Sequence, residues 1–238
     1  MKKLIILFLA LGSLSTLVAC NSIKTKNDIV DTSINEVQEE NKKVEENIVE
    51  VAEKNLVVKP LENSLDLEQL EDCTMAISFD KESIKVDESS TATLDATVYV
   101  YDLYDMVDIS MLKEGDTIVR AGNDVLVSSI QIKDNGFVLI NGGIDNGGFD
   151  LRTDDGTVYY EIGYSDLKSY YELGKVYLPI SPDFVYEDTF NLDNDAITMN
   201  IEEFIDLEKN VEYSFNPNNT TIRVENGFVV EMTRVYTP

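Results

Sequence analysis

The sequence predicts a mainly β domain over residues 73–238, an antiparallel barrel or sandwich that carries two short helices. Three observations support this. Short apolar runs alternate with polar residues at period two, which places successive side chains on opposite faces of a sheet. Three turns of one design, Asp134-Asn135-Gly136, Asp154-Asp155-Gly156 and Glu225-Asn226-Gly227, separate those runs with residues that tolerate left-handed backbone. About 165 residues is also enough chain to bury a core without covalent staples.

At the amino end, Lys2 and Lys3 precede a uniformly apolar run over residues 4–11, followed by Gly12, Ser13, Ser15 and Thr16. That order of charge, grease and small residues is a secretory leader spanning residues 1–19. The apolar run is too short to span a bilayer. Its end, Leu17-Val18-Ala19-Cys20, resembles the lipobox of bacterial lipoproteins at all four positions. The resemblance implies cleavage before Cys20, a diacylglyceryl group on its thiol and an acylated amino end. Two acyl signals are what stable anchoring needs. The expected location is therefore the extracytoplasmic face of the cell membrane, with the lipid on Cys20 as the membrane partner.

The chain has 45 acidic against 19 basic residues, a formal charge of −26, and it becomes more acidic once Lys2 and Lys3 leave with the leader. A surface of that sign repels nucleic acid, which excludes it as a partner. Residues 20–72 are polar, charged and free of glycine, and they read as a tether that is disordered or partly helical. Within it Ile34, Val37, Asn41, Val44, Ile48, Val51 and Asn55 alternate by three and four. This is a heptad seam, though one too short and too rich in valine to make a strong coiled coil.

Within the domain, strands are expected over residues 91–100, 117–120 and 125–133. Between the first two lies Leu112-Lys113-Glu114-Gly115-Asp116, which resembles the openings of SH3-like and OB-like barrels: the leucine plugs one end and the glycine turns the chain. Side-chain alternation favours three-residue loops at Gly136 and at Gly227. The first puts Ile130, Ile132, Val138 and Ile140 on one face; the second puts Ile222 and Val224 with Phe228, Val230 and Met232. The hairpin at Gly156 fits either loop length. A helix is expected over residues 166–173, capped by Ser165 and stopped at Gly174. A second follows Asn200, where Glu203 completes a capping box ahead of Ile201, Phe204 and Ile205.

The chemistry available is limited. The chain has no histidine, which removes Ser-His-Asp and Cys-His catalysis and the common imidazole metal sites. Apart from Cys20 the only cysteine is Cys73, so no disulfide framework exists, and Glu71 and Asp72 beside it disfavour a thiolate. The glycine pairs at Gly142-Gly143 and Gly147-Gly148 lack the strand-to-helix setting of a nucleotide loop. Asn191-Leu192-Asp193-Asn194-Asp195, with Glu202 further on, approaches an EF-hand spacing, but Ala196 stands where the loop needs glycine. It reads as a turn, as does the run from Asp145 to Asp150, and no metal or other cofactor is expected.

What remains is carboxylates and tyrosines. Tyr159, Tyr160, Tyr164, Tyr170, Tyr171, Tyr177 and Tyr186 fall in one stretch of a chain without tryptophan. Tyrosines with acids nearby suit a glycan- or peptide-binding face, and Tyr170 and Tyr171 are the candidate ligand contacts. Residues 101–144 and 216–238 also look like uncharacterised lipoproteins of anaerobic Gram-positive bacteria, a resemblance that supports the address and implies no mechanism. The expected function is a lipid-anchored, non-enzymatic binding module of the cell envelope with a glycan or protein partner. The alternative is a carboxylate-based hydrolase of envelope or host glycans.

Overall fold

The computed structural model describes residues 55–190, 196–210 and 214–237. The leader, Cys20, the heptad seam before Asn55 and residues 191–195 of the Asp/Asn-rich run lie outside them.

The described part of the chain is mainly β, with two α-helices. It begins with β1 (Val57–Val58), β2 (Cys73–Ser78), β3 (Ile84–Val86) and β4 (Ala92–Val100). An inserted lobe follows with β5 (Leu103–Asp105), α1 (Met106–Met111), β6 (Thr117–Arg120), β7 (Asn123–Leu126), β8 (Ile130–Ile132), β9 (Val138–Ile140), β10 (Phe149–Arg152) and β11 (Val158–Ile162). The chain then returns through β12 (Tyr171–Thr189), β13 (Ile197–Met199), α2 (Ile201–Asn210), β14 (Thr220–Glu225) and β15 (Phe228–Val235).

The larger sheet closes on itself. Strand β12 is 19 residues long and serves two neighbours. Its first half pairs antiparallel with β4, from Tyr171 opposite Val100 to Pro179 opposite Thr93. Its second half pairs parallel with β15, and the register shifts between Ile180 and Val185. Pro182 falls inside that shift, where the missing amide costs no ladder bond. Strands β15, β14, β2 and β4 complete the ring, with β3 and β13 appended at its edges. Counted along the chain, with β2 and β3 as the first strand, the ring order is one-two-three-five-four. The closing pair is parallel and a helix joins the third strand to the fourth. This is the topology of an OB-type barrel.

Alternation along β4 fills the barrel: Ala92, Leu94, Ala96, Val98 and Val100 point inward and are buried. Helix α2 closes one end. Its capping box forms as the sequence predicts, with Asn200 Oδ1 accepting from the Glu203 amide at 3.0 Å and Glu203 Oε2 accepting from the Asn200 amide at 3.0 Å. The cap aims Phe204 into the core, where its ring lies 4.4 Å from that of Tyr186 and 5.9 Å from that of Phe184.

The inserted lobe has its own core, built on Tyr104, Ile109, Ile118, Val138, Ile140 and Leu151. Leu112 is buried there, and Gly115 turns the chain with φ at 93°, so the leucine-to-glycine plug forms within the insertion. Asp116 is fully buried behind it. Its carboxylate accepts the amides of Leu56 and Lys113, both at 2.8 Å.

Those amide bonds move the start of the fold. Residues 56–72, expected to be tether, belong to the fold: β1 pairs parallel with β6, while Leu65, Leu67 and Leu70 pack on the barrel core. The apolar residues here are scattered among charged and polar ones, which hides the segment from a reading by composition.

The helix expected over residues 166–173 does not form. Ser165 and Asp166 have φ of 62° and 58°, left-handed values that cannot start a helix. The Leu167 carbonyl instead accepts the Gly163 amide at 2.7 Å, and Tyr171 begins β12. A strand partner, β4, outweighs the local signal. Gly174 is no helix stop either; a Cβ there would come within 2.7 Å of Leu67 Cδ1. The second α-helix is α1, whose cap Asp105 accepts the Val107 amide at 2.7 Å.

Turn chemistry divides the hairpins. At Gly136 the three-residue loop forms, and Ile130 and Ile132 sit opposite Ile140 and Val138. At Gly227 the loop has two residues, with φ of 52° at Asn226 and 78° at Gly227, a type I′ turn. Phe228 is thereby exposed and Val229 buried. A bulge before Glu231 then restores Met232 opposite Ile222, so the core face survives by another route.

Replacing Phe204 by alanine removes the plug of a filled barrel. Unfolding free energy in urea should drop by about 3–5 kcal/mol, whereas a loss below about 1 kcal/mol would mean that the barrel end is closed by something else.

Candidate functional site

The lobe leaves the barrel after β4 and rejoins it at β12, so residues 101–102 and 169–171 stand side by side. Asp102, buried within this junction, gathers donors from both parts. Its Oδ1 accepts the Tyr171 hydroxyl at 2.9 Å, and its Oδ2 accepts the Ala121 amide at 2.6 Å. Tyr104 Oη, which donates to the Val119 carbonyl at 2.8 Å, lies 3.2 Å from the same oxygen.

The Ala121 bond has a backbone cause. Arg120 and Asn123 close a two-residue hairpin, so Ala121 and Gly122 take φ of 45° and 76°. Left-handed backbone at alanine costs roughly 1–2 kcal/mol, and a charge-assisted bond to a buried carboxylate offsets it. The turn points Arg120 back across the lobe to Glu161 on β11. Arg120 Nε and Nη2 donate to the two Glu161 oxygens at 2.6 and 2.7 Å, a bidentate pair. Glu161 makes the Arg120 guanidinium harder to deprotonate, and the Phe149 ring lies 5.1 Å from it.

These groups surround a hollow of about 220 Å³ whose wall includes Asp102, Arg120, Glu161, Ser169, Tyr170 and Tyr171. Both tyrosines picked out from the sequence therefore line one concavity. The rest of the tyrosine stretch disperses. Tyr159 and Tyr186 are buried in the lobe and barrel cores, Tyr177 is exposed on the barrel exterior with its hydroxyl 2.8 Å from Thr93 Oγ1, and Tyr164 is exposed on a loop. Residues 159–186 thus make no single face.

Asp102, Arg120 and Glu161 were not distinguishable in the sequence. Two of them stand among 45 acids, and the only local sign of the third is the Ala121-Gly122 turn that follows it. Asp150, in the acidic run expected to be a loop, accepts the Ile144 amide at 3.1 Å and serves its own turn. Among the described residues, no group of three or more Cys, Asp or Glu side chains is arranged to hold a metal ion. Catalysis by two carboxylates requires one that donates a proton. In the hollow Asp102 receives donors, and Glu161 faces a guanidinium through both oxygens. That arrangement suits recognition and positioning.

Burial raises the phenol pKa values around the junction. Tyr170 is pushed up to about 12 by burial and then by Tyr101, Tyr171 to about 12 by burial and its bond to Asp102, and Tyr160 to about 12 by burial and its bond to Asp154. Tyr104 is raised further, by burial first and by Asp102 second. An unfolded chain releases these protons near pH 10. Stability from these groups is therefore complete below about pH 10 and is lost as pH climbs through about 12. Phenolate absorbance should show a late-ionising set in the native chain that vanishes in urea. Native and unfolded chains titrating together would contradict the burial of these rings.

No family model, curated protein or solved structure matches this chain.

Proposed function

We propose that the chain is a lipoprotein, held at the extracytoplasmic face of the cell membrane by acyl chains on Cys20, and that its folded part is a non-enzymatic binding module of the envelope. The observation that carries the anchor is the leader ending in Leu17-Val18-Ala19-Cys20. Among the described residues no helix is long and apolar enough to cross a membrane, so in this reading attachment rests on the lipid. The hollow beside Tyr170 and Tyr171 supports the binding role. It offers aromatic faces, hydroxyls and a fixed guanidinium–carboxylate pair, the mixture that orients glycans and peptides. The acidity of the chain favours neutral or cationic ligands over nucleic acid.

The anchor is tested by mass spectrometry of the full chain made in a bacterium that processes lipoproteins. The expected amino-terminal peptide begins at an acylated Cys20, and Cys20→Ala leaves the precursor uncut. An intact leader, or an unmodified thiol at Cys20, would sink the anchor. Binding is tested with the same protein in detergent micelles against cell-wall glycan and peptide fragments. Tyr170→Ala should weaken affinity about tenfold, about 1.4 kcal/mol, while thermal unfolding remains cooperative. Undiminished affinity would move the ligand off the hollow.

A further inference from the structure

Beside the hollow, a lysine rests against two tyrosines, and a third tyrosine packs on one of them. Lys168 Nζ donates to Tyr101 Oη at 2.9 Å, stands 4.3 Å from the centre of the Tyr101 ring, and stands 5.2 Å from that of Tyr160. Tyr170 packs edge-on against Tyr101 at 5.2 Å, and Tyr160 meets it at 6.2 Å. In a chain with 45 acids the ordinary partner of an ammonium is a carboxylate, yet Lys168 meets a phenol oxygen, the ring that carries it and a second ring. Aromatic faces grouped around a cation are the geometry by which proteins recognise ammonium ligands.

The rings do not need Lys168 to hold their positions. Tyr160 is fixed by its hydroxyl on Asp154 at 2.7 Å, and Tyr101 is wedged between two other rings. Lys168 follows Ser165 and Asp166, which take left-handed backbone, and its own backbone bridges to Ile162, so any exchange with a ligand would move the side chain alone. Tyr170 lines the hollow and packs edge-on against Tyr101, so it stands between the hollow and the ring that Lys168 meets.

We propose that a cage formed by the rings of Tyr101 and Tyr160, with Tyr170 packed behind Tyr101, is a recognition site for a primary alkylammonium group, the end of a lysine-like side chain in a peptide, and that Lys168 occupies it as an internal competitor. The proposal rests on the reading of the hollow as a ligand site and names the ligand's charged end. The Tyr101 hydroxyl, which accepts a hydrogen bond from the resident ammonium, favours a primary amine over a quaternary one. The net charge of −26 draws a cationic ligand toward the domain.

The test uses the full chain in detergent micelles, with Nα-acetyl-lysine methylamide as probe and tyrosine ring resonances as readout. Lys168→Ala frees the cage and should tighten binding at least about tenfold, because the competing bound state is gone. Adding Tyr101→Leu to that variant should abolish the gain. Lys168→Met, which keeps the stem packing, answers the same question if the alanine variant unfolds. Equal affinity in wild type and both lysine variants would overturn the proposal. Choline binding as tightly as the primary amine would overturn the assignment of ligand class. If the lysine variants gain nothing while Tyr170→Ala still lowers affinity for envelope fragments, the competitor idea fails and the hollow stands. If neither has an effect, the binding role fails as well.

Discussion

One buried carboxylate ties the two parts of this molecule together. Asp102 takes a hydroxyl from the first residue of β12 and an amide from the tip of a hairpin in the inserted lobe. A buried acid is costly unless its oxygens are satisfied, and here they are satisfied from both sides of the junction. The lobe also leaves and returns at paired positions, since Tyr171 lies opposite Val100. Inserting it therefore asks little of the barrel, while Asp102 limits how the lobe can turn relative to it. The hollow sits against that bond, so its shape is fixed by the same contact that joins the parts.

The barrel depends on β12 in a different way. A single strand closes the ring by pairing with β4 and then, past a register shift at Pro182, with β15. Such a ring leaves few open edges, and helix α2 fills one end with Phe204. The OB-type order of strands describes architecture and assigns no activity. Any function must come from particular side chains, and the richest grouping of these lies where the insertion joins the barrel.

Much of this was legible in the sequence. Period-two alternation gave β4 and β6, although the strand expected over residues 125–133 splits into β7 and β8 in different sheets; the Asn200–Glu203 box gave α2 with Phe204 inward, and Asp134-Asn135-Gly136 gave a loop of the right length. What failed did so for nameable reasons. Leu56, Val57 and Leu67 lie in a charged context that reads as tether, and only their distant partners β6 and Gly174 make them part of the fold. Ser165 to Gly174 carries every local mark of a short helix, yet β4 offers a strand partner that no local window contains. At Gly227 the two-residue turn is the chemically favoured one, and a bulge corrects the faces afterwards. Within the candidate site, Tyr170 and Tyr171 were visible because they belong to a cluster of seven tyrosines in one stretch of the chain. Asp102 and Glu161 were not, because one acid among 45 has no local signature; their burial at the hollow's wall appears only in the fold.

Asp102 and Tyr171, which bond across the junction, both line the hollow, so a ligand bound there would contact the same groups that fix the lobe. Native-state hydrogen exchange at the Ala121 amide tests this most directly. A surface turn in left-handed backbone normally exchanges within its local opening. If Asp102 holds the lobe to the barrel, the Ala121 amide should exchange as slowly as core amides such as those of Ile222 and Met232, and should become fast in Asp102→Ala. Rapid exchange at Ala121 in the native chain, at the rate of an unpaired turn, would contradict the account.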